Sequence, residues 1–365
     1  MINIAQPIIE SEEIDAVNEV LRSGNIAQGP RVAQLEEDFA RFCGTKYALA
    51  VNSGTAALHA ALYATGMGVG DEVITVPFSF IATINPILMQ GSKPVLVDID
   101  YDTFNLDVTR LESVITNKTK AIIPVHLYGQ PANMNEINTV AKKHGIKVIE
   151  DACQAVDADY GDKKTGNLGD LGCFSLYATK NIMCGEGGMV TTNSEDYANL
   201  IRKFRQHGMV GPYMYDDLGY NYRMTDLQAS IAIEQLKKAT RFTSSRQKNA
   251  EQFNNAFAKI TGLVLPKVDD GRNHVYHQYT LRVTDDFHMT RDEFVQALRD
   301  KGVGAGVYYP KALHTYPHIA RLEYKENDFP QSVKAANECV SLPVHPGLTD
   351  EDIATVISAV KSLSR

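Results

Sequence analysis

Lys180 lies in a polar loop between two β-prone runs, Cys173-Phe174-Ser175-Leu176 before it and Met189-Val190-Thr191-Thr192 after it, and Gly185, Gly187 and Gly188 sit in the same loop. An amine held between buried strands is desolvated. Desolvation lowers its pKa toward the neutral form that attacks a carbonyl or carries a Schiff base. A solvated loop lysine is the bland alternative, because lysines are rarely buried.

Three other places carry groups of the same kind. Asn52-Ser53-Gly54-Thr55 joins a short apolar run to an alanine-rich helix, and small hydroxyl residues at a helix N-terminus leave N–H groups that suit a phosphate. Ser53 or Thr55 also reads as a plain N-cap. Asp151, in Glu150-Asp151-Ala152-Cys153-Gln154, follows the apolar run Ile146–Ile149. It reads as a helix cap, as the partner of a cationic heterocycle or, least well, as a metal ligand. Phe80 closes Pro77-Phe78-Ser79-Phe80, just after the run Glu72–Val76.

The elements that must position these groups alternate along the chain. The stretch Tyr47–Leu62 reads as a short apolar strand, a Ser-Gly-Thr turn and an alanine-rich helix; strands are then expected at 72–76, 94–97, 120–125 and 146–149, with helices near 79–90, 107–116 and 133–144. Near-continuous apolar strands separated by helical patterns indicate a parallel sheet covered on both faces. Ligands of such sheets gather at the carboxyl ends of the strands. Ahead of the sheet, Ile14, Val17, Val20 and Leu21 share one face of a helix that Ser11 is placed to cap, and Val32, Leu35, Phe39 and Phe42 share a face of a second helix ending at Gly44. Beyond it come helices over 195–207 and from Leu227, a long helix from about Arg241, an extended run 276–283, a helix 290–300, a strand Val303–Tyr309 and a final helix from Thr349. This change of pattern places a boundary near residue 245, giving a large domain 1–245 and a small α+β domain 246–365.

Composition sets outer limits. The 365 residues are 44% hydrophobic and 22% charged, enough for a large core in a globular chain of two domains. The formal net charge is −8, and no run of Lys or Arg exceeds two, so nucleic acid is not an expected partner. No apolar stretch reaches about 18 residues and no leader pattern opens the sequence, which makes a cytoplasmic protein without a membrane contact the expectation. The five cysteines lack the spacing of a disulfide framework or a zinc ribbon. Gly66-Met67-Gly68-Val69-Gly70 stands between a helix and a strand, the wrong order for a dinucleotide fingerprint. His314 and His318 flank Pro317, which argues against a helical zinc pair, so no metal is expected.

Taken together, Ser53-Gly54-Thr55, Phe80, Asp151, Ser175 and Lys180 meet the needs of pyridoxal phosphate. Its aldehyde needs an amine, its phosphate needs N–H and hydroxyl donors, its ring needs a stacking partner, and its pyridine nitrogen needs a carboxylate.

The sequence also resembles the DegT/DnrJ/EryC1/StrS family of pyridoxal phosphate dependent sugar aminotransferases over nearly its whole length. Ala50-Val-Asn-Ser-Gly-Thr-Ala-Ala-Leu58, Glu150-Asp-Ala-Cys-Gln-Ala155, Phe174-Ser-Leu-Tyr-Ala-Thr-Lys-Asn181, Gly185-Glu-Gly-Gly-Met189 and Leu218-Gly-Tyr-Asn-Tyr-Arg-Met-Thr-Asp-Leu-Gln-Ala229 carry the resemblance. It implies an α/β protein of the aspartate aminotransferase fold (fold type I), with a mainly parallel seven-stranded sheet in the large domain. It further implies that Lys180 is the Schiff-base lysine, that Asp151 pairs with the pyridine nitrogen, that Gln154 bonds the phenolic oxygen and that Phe80 stacks on the ring. Gly54, Thr55 and Ser175 would hold the phosphate. Asn221 would reach the cofactor of a neighbouring subunit, making the working unit a homodimer with shared sites. For substrates, Arg223 is the candidate for a donor carboxylate, Tyr177 stands where many relatives have histidine, and His314 and His345 are candidates for the sugar nucleotide. The implied reaction moves an amino group from L-glutamate to a nucleoside diphosphate ketosugar. The Asn221–Asp226 stretch resembles relatives acting at C4 of a 4-keto-6-deoxy sugar, with a C3-ketosugar, a keto-cyclitol or a regulatory cofactor-binding role as alternatives.

Overall fold

The computed structural model describes residues 1–364. Seven strands form the central sheet: β1 (Tyr47–Val51), β2 (Glu72–Thr75), β3 (Lys93–Leu96), β4 (Thr119–Ile122), β5 (Lys147–Asp151), β6 (Leu171–Ser175) and β7 (Gly188–Thr192). Their spatial order is β1-β7-β6-β5-β4-β2-β3. The pairs from β3 through β6 are parallel, whereas β7 runs antiparallel to both β6 and β1. The carboxyl ends of β1, β2, β5 and β6 therefore share one edge. Gly188, the first residue of β7, pairs with both Val51 and Ser175 there.

Both faces are covered, which is why the strands read as apolar runs rather than alternating ones. On one face α2 (Pro30–Cys43) and the helix Asp226–Lys237 pack Leu35, Phe39 and Ile233 against Phe174 and Met189. On the other, α3 (Gly54–Ala64) lies close to the sheet through Ala57, Ala60 and Ala61, all at 0% exposure, with Ile201 and Phe204 of the helix Glu195–Phe204 beside it. Small side chains let α3 approach the strands closely, so its N-terminus sits at the edge where β1 ends.

Residues beyond 257 build a three-stranded antiparallel sheet from Leu263–Val264, Tyr279–Val283 and Cys339–Leu342. Phe253 and Phe257 of the helix Ala239–Phe257, Phe294 and Val360 pack with Tyr279 in a core of their own, which Ile2 joins from the start of the chain. Among the described residues no helix is long and apolar enough to cross a membrane.

Several local expectations differ from what forms. The first helix, α1 (Ser11–Ser23), is capped by Glu10 in a reciprocal box with Glu13, not by Ser11. Its buried face is Glu13, Ala16 and Val20, while Ile14 and Leu21 are exposed. Glu13 is buried because Lys238 Nζ lies 2.8 Å from each of its oxygens and Gln235 Nε2 donates at 2.8 Å, so the carboxylate is paired and hydrogen-bonded. The expected helix 79–90 is broken into a 3₁₀ turn, Ile81–Thr83, and a short helix, Asn85–Met89, and 107–116 is likewise split. Val303–Tyr309 is not a strand. It makes single pairings, Val303 with Ile2 and Gly306 with Ser341, because it threads between two different neighbours.

Candidate active site

The shared edge of β1, β2, β5 and β6 opens into a cavity of about 490 Å³, a size suited to a small ligand. Gly54, Thr55, Phe80, Asp151, Gln154, Ser175, Tyr177 and Lys180 all line it.

Asp151 is the last residue of β5, where strand alternation points it opposite to Glu150. Glu150 is fully buried and accepts from the N–H groups of Gly166, Leu168 and Gly169 at 2.7–2.8 Å, with His126 Nε2 at 3.0 Å. Those bonds fix the strand end. Asp151 is 5% exposed and accepts from Thr83 Oγ1 at 2.7 Å and the Cys153 N–H at 3.2 Å. No helix starts at Asp151, so the N-cap reading is excluded.

Lys180 sits in the β6–β7 connection, a loop tied by Leu176 N to Gly187 O at 2.8 Å, Cys184 N to Leu176 O at 2.9 Å and Ala178 N to Gly185 O at 3.0 Å. The residue is only half-buried by surface, because it faces the cavity, yet protein crowds it closely. Desolvation holds its pKa below the usual lysine value, while Cys153 and Asp151 nearby pull the other way. Its amine makes no hydrogen bond or ion pair among the described residues. The amine is thus in contact with a cavity, and burial disfavours its charged form.

At the other end, Ser53 caps α3 by accepting from Ala56 N at 3.1 Å. The N–H groups of Gly54 and Thr55 have no acceptor among the described residues and lie at the positive end of an 11-residue helix. The cap thus leaves two donors open to an anion. Ser175 ends β6 beside them, so close that a Cβ on Gly54 would stand 2.8 Å from Ser175 Cβ and 3.1 Å from Cys153 Sγ. Phe80, 55% exposed, presents its ring to the cavity. Gln154 accepts from Tyr128 N at 2.9 Å and donates from Nε2 to Tyr309 Oη at 3.1 Å, which fixes which end of its amide faces which neighbour.

Four expected residues lie elsewhere. Asn221 is exposed and lines no part of the cavity of its own chain. Arg223 lies outside it as well and forms no ion pair among the described residues. His314 is a correction: it is buried, with Nε2 3.0 Å from the Glu326 carbonyl and its ring edge-on to Phe329, so it does not reach the cavity. His345 is likewise turned to the Asn3 carbonyl at 3.1 Å. The structure adds Thr83, His277, Gln278, Tyr308 and Tyr309 to the lining, with Ile4 and Ala5 from the N-terminal segment.

The DegT/DnrJ/EryC1/StrS aminotransferase family model matches residues 7–361. The chain belongs to this family. It is a pyridoxal phosphate dependent sugar aminotransferase of fold type I. It is 42% identical to the spore coat polysaccharide biosynthesis protein SpsC of Bacillus subtilis, over 98% of this chain and 95% of that one. It is 40% identical to the GDP-perosamine synthase of Caulobacter vibrioides, over 98% and 97%. Among solved structures, S. venezuelae DesV, in complex with a ketimine intermediate, superposes with a TM-score of 0.94 at 33% identity, over 97% of this chain and 95% of that one.

The cavity fits the cofactor this family uses. Two unpaired N–H groups and the Ser175 hydroxyl are donors of the kind a phosphate needs, a Cβ on Gly54 would press on Ser175 beside them, the Asp151 carboxylate lines the same space, and Lys180 supplies a free amine. Gly54→Val is expected to weaken cofactor affinity by at least about tenfold, the equivalent of about 1.4 kcal/mol, since overpacking a tight site costs about 1–3 kcal/mol. Equilibrium titration of the apo protein measures it. Unchanged affinity would show that the phosphate is held elsewhere.

Proposed function

We propose that the protein transfers the amino group of L-glutamate to C4 of a nucleoside diphosphate 4-keto-6-deoxy sugar. The observation that carries the reading is the end-to-end similarity to a named GDP-perosamine synthase in a chain whose cavity brings Lys180 and Asp151 together. The choice of C4 rests on the Asn221-Tyr222-Arg223-Met224-Thr225-Asp226 stretch.

When bound, pyridoxal phosphate supplies an aldehyde for the amino group and a ring that withdraws electrons. Gly54, Thr55 and Ser175 would hold its phosphate, Asp151 its ring nitrogen, Gln154 its phenolic oxygen and Phe80 one ring face. Lys180 would anchor it covalently. Once free, the Lys180 amine would take the proton from the donor's α-carbon and hand it to C4′ of the cofactor, and would carry a proton from C4′ to the sugar carbon in the second half-reaction. The surrounding burial matters to this step, because a permanently protonated lysine could not act as a base. Arg223 would receive the donor's carboxylate with a two-point fork, and Tyr177, 46% exposed at the rim, would donate a neutral hydrogen bond.

We further propose a homodimer in the cytoplasm, with residues 1–245 holding the cofactor and 246–365 forming a second domain. Asn221 is exposed outside its own cavity, and the neighbouring hairpin exposes Val210, Tyr213, Met214 and Tyr215, as a segment serving a second subunit would.

Adding L-glutamate to the holoenzyme is expected to remove the absorbance of the lysine-bound cofactor, and a nucleotide ketosugar is expected to restore it. NMR of the product then locates the new amine. An amine at C3, or turnover of keto-inositols alone, would overturn the C4 reading.

A further inference from the structure

His277 lines the same cavity as Lys180, 7% exposed, and the reaction described above gives it no task. Its surroundings fix its chemical form. His277 Nδ1 lies 3.3 Å from Oδ1 of Asn181, the residue that follows the lysine. The orientation of that amide is set from its other end, where Asn181 Nδ2 donates to the Val275 carbonyl at 3.2 Å. Flipping the amide would set its oxygen against a carbonyl oxygen, so Oδ1 must face the imidazole. An acceptor opposite Nδ1 requires a proton on Nδ1. Nε2 is then a lone pair in the neutral ring, and no protein donor meets it among the described residues.

The ring is also held neutral. From the helix Ala239–Phe257, Arg246 Nη1 donates to the carbonyls of Tyr276 and His277 at 3.1 and 3.3 Å. Arg246 is 5% exposed and has no carboxylate partner among the described residues, so its charge is felt by its neighbours. Burial comes first in pushing His277 well below the usual histidine value, and the Lys180 and Arg246 charges and His274 push it further. Protonating Nε2 would place a second cation beside the buried Arg246 guanidinium.

We propose that His277 is a positioning residue for Lys180: its Nε2 lone pair accepts a hydrogen bond from the released lysine amine and steers that amine toward the donor's α-carbon. A neutral acceptor suits this purpose. It orients the amine through one N–H and does not compete for the proton that the amine must take. Asn181 then has a double role, since one side chain sets the imidazole tautomer and the adjacent residue is the lysine being steered.

The test separates steering from mere support. His277→Asn keeps an amide N–H where Nδ1 donates to Asn181 but puts nothing at the Nε2 position, whereas the longer His277→Gln can place an amide oxygen near it. In single turnovers of the holoenzyme with L-glutamate, H277N is expected to react about tenfold or more slowly, the loss of one oriented hydrogen bond. It should also show a larger isotope effect with α-deuterated glutamate, at wild-type cofactor affinity and melting temperature, and H277Q should recover part of the rate. Independently of activity, ¹⁵N NMR of histidine-labelled protein should show His277 protonated at Nδ1 and bare at Nε2. An unchanged isotope effect in H277N, or a proton on Nε2, would overturn the inference. It rests on the glutamate reading only for the choice of donor. If the wild type ignores glutamate, that reading falls, and the Nε2 measurement still decides this one.

Discussion

Lys180→Ala is expected to lower turnover by at least about 10⁴-fold while leaving the fold intact, since one residue is lost both as covalent anchor and as general acid/base. Stability should hardly change. The Lys180 amine has no hydrogen-bond or ion-pair partner among the described residues, so its removal orphans nothing, and a group whose charged form is disfavoured by burial is taken away. The variant should still bind pyridoxal phosphate through the cradle at Gly54, Thr55 and Ser175, but reversibly, so that dialysis removes it. Lys180→Arg is the sharper control. A guanidinium stays protonated, so it retains the positive charge and loses both the nucleophile and the base; it should be as inactive as alanine. Turnover near wild type in either variant would overturn the assignment of Lys180.

The parts of this site that were legible in the sequence are those dictated by strand ends. Asp151, Ser175 and Gly54 each follow an apolar run, and a parallel sheet brings the carboxyl ends of its strands to one edge whatever the loops do. Lys180 was legible for a related reason, since the β6–β7 loop returns directly to the same edge. The residues that were not legible approach from segments whose sequence pattern differs from what forms there. Thr83 stands in a 3₁₀ turn inside what reads as a longer helix, and His277 lies just ahead of the strand Tyr279–Val283. Tyr309 belongs to a run that looks like a strand but pairs only at single residues. Their positions are set by tertiary packing, which spacing along the chain does not encode.

A different kind of miss concerns polar residues. The helical face drawn from Ile14, Val17, Val20 and Leu21 assumes that apolar residues are buried and charged ones exposed, yet Glu13 is inside and Ile14 and Leu21 are outside. The determining partner, Lys238, is 225 positions away, so no local window contains it. His314 failed in the opposite sense. Histidine is a plausible ligand contact by type, and only the Glu326 carbonyl opposite Nε2 and the Phe329 ring beside it show that it is packed away from the cavity.

Asp151→Asn is expected to lower turnover by about 10²–10³-fold, the range found when a single well-placed electrostatic partner is removed from a reacting centre. The carboxylate already accepts from the Thr83 hydroxyl and the Cys153 N–H, which leaves lone pairs for a protonated ring nitrogen. An amide is neutral and cannot hold that proton in place, so the ring would withdraw electrons less strongly. The fold should persist. Asp151 is tied into the sheet by its own N–H to the Pro124 carbonyl at 2.9 Å and its carbonyl to the His126 N–H at 3.0 Å, and neither bond uses the side chain. Thr83→Val separates charge from support. It removes one donor to the carboxylate, a bond to a charged group worth about 1.5–3 kcal/mol, and should slow turnover by about tenfold while the Asp151 side chain itself is kept. If D151N matched T83V, Asp151 would be a structural carboxylate that merely shapes the cavity. If D151N falls at least tenfold below it with cofactor still bound, the charge facing the ring is what the reaction uses.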